Sequence, residues 1–201
     1  MSTFAFPSIT ANNMTVRLVN NIARYPSPHT GAVQTKKRSA GYMMVDMAFT
    51  NLTTAERAEM VAFLAKLRGG QHRFTLPLHC EENRGTFGGA PLVNGANQKG
   101  GTITLDGATG SVTNWIRAGD IFQIGNEIKI CTADANSSSG GAVTIEFAPD
   151  IRTSPSDNSA VVVSGAVGVF MLATDEQAFM NRPGPNVFSD FSVSAIEDIR
   201  A

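Results

Sequence analysis

A chain of 201 residues, 42% of them hydrophobic, is long enough to bury a core in one large domain or in two small ones. Only 16% of the residues are charged, 7% are aromatic and 19 are Gly, which suits short strands and many turns and argues against a helical bundle. The net charge of −1 argues against a whole-protein electrostatic partner such as nucleic acid or an acidic membrane face, yet it is unevenly spread: residues 1–85 carry a net +5 and residues 86–165 a net −3.

The start "MSTFAFPSIT" has no basic region followed by an apolar run, and no window approaches the roughly 18 apolar residues of a membrane span. A soluble protein made in a cytoplasm is expected. The triplet Lys36, Lys37 and Arg38 is a phosphate contact or a solvated strand start; so short a run lacks the broad basic stripe of a nucleic-acid binder.

From Tyr42 the text "YMMVDMAFT" alternates, placing Met43, Val45, Met47 and Phe49 on one face of a half-buried strand. The one strong helix follows in "LTTAERAEMVAFLAKLRGG". Thr53 caps it, Glu56 completes a capping box, and Gly69 stands where a left-handed residue ends a helix. Met60, Phe63, Leu64 and Leu67 form its apolar stripe. Next, "HRFTLPLHC" reads as a short strand, and Pro77 favours an edge or a bulge. His72, His79, Cys80, Glu81 and Glu82 are the most metal-like cluster. Seven positions separate the two histidines, however, which puts them on opposite faces of an unbroken strand, so no metal site is expected. Cys80 and Cys131 have no CxxC spacing and read as reduced thiols.

The Gly- and Asn-rich "RGTFGGAPLVNGANQKGG" has no regular period and reads as a connector, with a boundary near Gly85. Beyond it come strands at "GTITL", "IFQIG", "EIKICTA", "AVTIEFA" and "AVVVSG". Five short strands without a confident helix suit a small OB-like Greek-key barrel. In "AGDIFQIGNEIKI" a two-residue loop of Gly125 and Asn126 would set Ile124 against Glu127 and Phe122 against Lys129. A three-residue loop pairs Ile124 with Ile128 and Phe122 with Ile130, keeps one face apolar, and is the expected register.

Two further strands are expected in "AVGVFMLATDEQAF" and "VFSDFSVSAIEDI", joined by "MNRPGPN", with Phe188, Phe191 and Val193 as candidate core. They exceed what a five-strand barrel can use and pair instead with the first unit. The expected fold is therefore mainly β with one α-helix: a discontinuous β-sandwich or barrel from residues 1–85 and 166–201, with a small barrel inserted at 86–165.

This order of elements resembles the distal tail proteins of long-tailed, siphovirus-type bacteriophages, in the form that carries an inserted OB-fold. The strand "AGYMMVDMAFTNLT", the helix "AERAEMVAFLAKLRGGQHRFTLPL", the block from Gly100 to Arg152 and the terminal "FSDFSVSAIEDI" carry the resemblance, over roughly two thirds of the chain. The resemblance implies a virion structural protein of the tail tip, assembled in the host cytoplasm. It also implies a hexameric ring that joins the tail tube protein to the baseplate hub protein around an open channel. In such a ring Lys36, Lys37 and Arg38 are candidate subunit or channel contacts. The absence of a long C-terminal extension puts direct receptor binding in doubt.

The alternative is a carbohydrate-binding module of the phage host-recognition apparatus. Here Trp115, beside Asn114, stacks on a host surface glycan; otherwise Trp115 is a core or barrel-end plug. The insert's net −3 and few aromatic residues argue against single-stranded nucleic acid. No GxSxG elbow and no GxxxxGK[ST] loop occurs, and the carboxylate pairs Glu81-Glu82 and Asp175-Glu176 read as solvated loop charge, so neither an enzyme nor a cofactor is expected.

Overall fold

The computed structural model describes residues 1–38, 41–78, 83–176 and 189–200. In the first half of the chain the elements are β1 (Thr3–Ala5), β2 (Asn13–Val19), β3 (Ile22–Pro26), β4 (Val33–Lys37), β5 (Tyr42–Leu52), α1 (Thr54–Leu67) and β6 (Arg73–Pro77). The second half adds β7 (Gly89–Val93), β8 (Gly100–Ala108), β9 (Ile121–Ile124), β10 (Glu127–Cys131), β11 (Val143–Ile151), β12 (Val161–Val162), β13 (Val167–Leu172) and β14 (Ser189–Glu197). The chain is thus mainly β with one α-helix among the described residues, and it divides into two compact units. One comprises Met1–Arg17, Met43–Glu82 and Gly165–Ala201; the other comprises Leu18–Tyr42 and Asn83–Ser164.

The first unit is built on a six-stranded sheet in the order β1-β6-β13-β14-β5-β2. β1 runs parallel to β6, and β6, β13, β14 and β5 pair antiparallel. The alternation in β5 is realised: Met43, Val45, Met47 and Phe49 are buried, while Asp46 on the other face pairs with Arg17 and accepts a 2.6 Å bond from Ser194 Oγ. In β14, Phe191 and Val193 join the core as expected; Phe188 lies outside the described residues.

Helix α1 covers this sheet with the stripe its spacing predicts, Met60, Phe63, Leu64 and Leu67, all buried. Phe63 meets Phe6 and Phe74 edge-on at centroid separations of 5.1 and 5.6 Å. Both halves of the capping box form: Glu56 N donates to Thr53 Oγ1 at 3.3 Å and Thr53 N donates to Glu56 Oε2 at 2.9 Å. At the other end Arg68 turns left-handed first (φ 49°) and Gly69 continues the turn (φ 64°). Close approach is a second reason for glycine there, since a Cβ on Gly69 would stand 3.0 Å from Asp175 Oδ1.

Pro77 does not mark an edge strand, because β6 lies between β1 and β13. The β1 register ends at Thr75, so Pro77 sits past the last residue that β1 reaches, where its missing N–H interrupts no paired position.

In the second unit the strand order is β12-β9-β10-β11-β8-β7, a nearly closed barrel-like sheet. Its two ends meet where Val93 N donates to Ser159 O and Asn158 N donates to Val93 O, both at 2.9 Å. Ile103, Leu105, Phe122, Ile145 and Phe147 fill its interior. It has six strands where the sequence suggested five, because β7 is hidden in the Gly-rich segment taken for a connector. Glycine serves pairing there: a Cβ on Gly89 would lie 2.2 Å from Gly107 O, so only glycine lets β7 approach β8. A separate two-stranded hairpin, β3–β4, also groups with this unit.

The β9–β10 register is the two-residue one, with Ile124 opposite Glu127 and Phe122 opposite Lys129, which corrects the expected three-residue loop. Gly125, at φ 58°, supplies the positive torsion that a tight primed turn needs at its first position. The expectation failed because it assumed that charged side chains face solvent. Glu127 and Lys129 are 3% and 0% exposed.

Two outcomes test the helix and its cap. Phe63→Ala should destabilise the protein by about 3–5 kcal/mol as a core truncation, and a loss below about 1 kcal/mol in denaturant melts would remove Phe63 from the core. The bond from the Thr53 hydroxyl, and then that from its backbone, holds the Glu56 carboxyl below the usual carboxylate range. A group depressed on folding stabilises above its unfolded pKa and loses that effect as pH falls through the folded value. The difference in melting temperature between wild type and Glu56→Ala should accordingly shrink on acidification; a constant gap would contradict the capping role.

Candidate functional site

The second unit concentrates its polar chemistry at three places. At the first, the chain segment that leads into the barrel is fastened by two side chains. Asp120, 2% exposed, accepts from Arg84 N at 2.7 Å through Oδ1, and from Gly85 N at 2.9 Å and Arg117 N at 2.8 Å through Oδ2. Three backbone donors thus compensate a buried carboxylate that would otherwise be strongly destabilising. Gly85 is required by the approach: a Cβ there would lie 2.6 Å from Trp115 O and 2.8 Å from Asp120 Oδ2. Asn83 imitates a peptide beside β9, accepting from Ile121 N at 2.8 Å and donating to Ile121 O at 2.7 Å. The same amide donates to Val163 O at 2.8 Å, which ties the beginning of the barrel segment to its end.

The second place is a buried ionic cluster. Lys129 Nζ donates to Glu127 Oε2 at 2.6 Å and to Asp150 O at 3.0 Å, and lies 5.8 Å from the centre of the Phe147 ring. Glu127 also accepts from Arg152 N at 3.1 Å and Thr153 N at 2.8 Å, with Arg152 Nε 3.7 Å away. The Glu127 carboxylate is the hub, since both cations and two amides converge on it. Arg152 Nη1 in turn donates to Gly41 O at 3.1 Å, within the same unit.

The hairpin is the third. Its register sets Ile22 against Lys37, Ala23 against Lys36 and Pro26 against Val33. Lys36, Lys37 and Arg38 are all exposed, Lys36 and Lys37 on β4 and Arg38 just beyond it. Lys37 Nζ reaches Asp150 Oδ1 at 2.7 Å, a solvated pair worth little by itself. Between the hairpin base and residues 148–150 lies a groove of about 280 Å³ lined by Ile22, Thr35, Lys37, Arg38 and Pro149 among others.

Trp115 is fully buried. Its indole N–H donates to Gly88 O at 3.0 Å and its ring meets Phe87 edge-on at 5.7 Å, so it offers no open face on which a sugar could stack. Asn114 takes a left-handed conformation (φ 53°), and its N–H donates to Asn136 Oδ1 at 2.7 Å, a turn role. The plug reading of Trp115 is the one the geometry supports. Asp175 accepts from Gly70 N at 3.1 Å, while His79, Cys80, Glu81 and Glu82 lie outside the described residues. Among the described residues no group of three His, Cys, Asp or Glu side chains could hold a metal ion. Cys131 is buried and reduced, and burial pushes its thiol pKa up.

Residues 81–166, the barrel with its fastened ends, match the family described as distal tail protein pb9, B domain. This segment is similar to a domain of the phage distal tail proteins. The match supports a phage distal tail protein and a structural role in the tail, as the order of elements implied. No curated protein matches the chain. The boundaries of the B-domain match fall beside Asn83 and Val163, the residues that one side chain ties together. Sequence reasoning missed Asn83, Asp120 and Glu127. A weak signal existed for Asp120, because an Asp one residue before a strand and after Gly119 is a natural acceptor for loop amides.

The cluster predicts an asymmetry. Glu127→Ala strands two cations and two amides and should cost about 3–5 kcal/mol, whereas Lys129→Met leaves Glu127 with Arg152 and both amides and should cost under about 2 kcal/mol. Trp115, the single tryptophan, reports barrel unfolding directly by fluorescence in urea. Equal losses for the two variants would contradict Glu127 as the hub.

Proposed function

We propose that this chain builds a closed ring at the tail tip, joining the tail tube protein to the baseplate hub protein and leaving a channel at its centre. The observation that carries the reading is the B-domain match over residues 81–166, in a chain that leaves one six-stranded sheet after β6 and resumes it at β13. In this reading residues 1–85 and 166–201 form the ring, and residues 86–165 are the OB-like insert. The ring is a hexamer assembled in the host cytoplasm and incorporated into the virion. A heterologous contact repeated around an axis closes into such a ring without any second protein.

The role is mechanical and needs no catalytic residues or cofactor. Host glycan binding has no aromatic platform at Trp115, and no other feature among the described residues favours it. Negative-stain electron microscopy with native mass spectrometry of the purified chain should show rings with a central opening and a single dominant stoichiometry of six. A chain that stays monomeric up to concentrations well above those of tail assembly would overturn the ring.

A further inference from the structure

Asn94 and Gly95 form the only Asn-Gly step in the chain, and they stand where β7 ends, at the seam that closes the barrel. The main chain is fixed on both sides of the step: Asn94 N donates to Thr104 O at 3.0 Å, while Asn94 O and Gly95 O accept from Gln98 Nε2 at 2.8 and 3.2 Å. Asn94 itself is exposed, and its side-chain amide makes no hydrogen bond among the described residues. The carbon of that amide is an electrophile adjacent to the nitrogen of Gly95.

Gly95 leaves its nitrogen open to approach. It has φ 92°, and a Cβ there would meet nothing within 4 Å. Its N–H donates to Asp157 Oδ1 at 2.8 Å, inside the reach that a general base requires. The other carboxylate oxygen, Oδ2, accepts from Asn158 Nδ2 at 3.0 Å, which leaves Oδ1 turned to Gly95. Asn158 N in turn donates to Val93 O, so the base is carried by the same bonds that close the barrel. An electrophile, a nucleophilic nitrogen and a base therefore meet at one place, drawn from two segments about sixty residues apart.

We infer that Asn94 is a self-modification site, at which the Asn94-Gly95 step cyclises to a succinimide and then opens to aspartate or isoaspartate, with Asp157 as the base. In the first step Gly95 N bonds to Asn94 Cγ as its proton passes to Asp157. The Cγ–Nδ2 bond breaks, and the amide nitrogen takes that proton and leaves as ammonia, so Asp157 ends unchanged. Water then opens the ring at either carbonyl. Opening at the side-chain carbonyl gives aspartate; opening at the main-chain carbonyl gives isoaspartate, whose chain carries one extra methylene. The ring has no N–H to give Asp157, and either product sets a new carboxylate close to it, so the modification loosens the seam between β7 and residues 158–159.

The test uses the full chain, aged at neutral pH and followed by peptide mapping with mass spectrometry and by enzymatic methylation of isoaspartate. The native chain should lose ammonia at Asn94 at least about tenfold faster than the same chain held in urea. Asp157→Asn keeps an oxygen to accept the Gly95 N–H but removes the base, and should bring the rate down to the denatured value while Trp115 fluorescence stays native. A native chain that converts more slowly than the denatured one overturns the inference, because the Asp157 bond then shields Gly95. Unchanged conversion in Asp157→Asn overturns it as well, as does a chain break between residues 94 and 95 in place of the deamidated product.

Discussion

The barrel is organised around one buried carboxylate. Among the described residues no cation pairs with Asp120; its carboxylate accepts from the N–H groups of Arg84, Gly85 and Arg117. Those donors can converge only if the incoming strand passes close to the segment 114–117, which is why position 85 has no room for a side chain. The same approach lets Thr86 N and Phe87 N donate to Asn114 O and Trp115 O, and it brings the Trp115 indole to Gly88 O. A single acidic side chain thereby fixes where the chain joins the barrel, how Trp115 closes one part of it, and where β9 begins.

Both units bury ions, and in both the ions join segments distant in sequence. In the first, Arg73 pairs with Asp198 while Arg73 Nη1 donates to Gly70 O at 2.8 Å, linking β6 to the residue after β14. Glu197 beside it accepts from Met43 N at 2.9 Å, linking β14 to β5. In the second, Glu127 joins β10 to the segment that follows β11. Desolvation offsets much of the Coulomb attraction in such pairs, so their net contribution to stability is smaller than their geometry suggests. In the β9–β10 hairpin the purely hydrophobic register and the observed register differ by one residue, and the observed one buries Glu127 and Lys129 as a bonded pair.

What was legible in the sequence was local or periodic. The Thr53–Glu56 box and the Met60, Phe63, Leu64 and Leu67 stripe concern contacts within a turn or two, and β5 alternates without interruption. What was not legible depends on distant partners. Lys129 reads as a solvent residue until Glu127, Asp150 and Phe147 are placed around it, and β7 reads as a loop until its glycines are seen against β8. Strands β3 and β4 have no buried face to generate a pattern, so the period-2 signal was absent there. The site residues followed the same division. Nothing local to Trp115 in the sequence distinguishes a ligand platform from a core residue, and its burial depends on distant partners.

The Asn83 amide, shared between Ile121 and Val163, also has a consequence for the path of the chain. Because the residues that open and close an eighty-residue excursion lie within one side chain's reach, the chain path outside that excursion is short however long the excursion grows. Loop-closure cost rises only logarithmically with length, and here the bridging bonds lie inside the excursion itself. The two ends of the segment 83–163 therefore lie together, and outside it β6 pairs directly with β13.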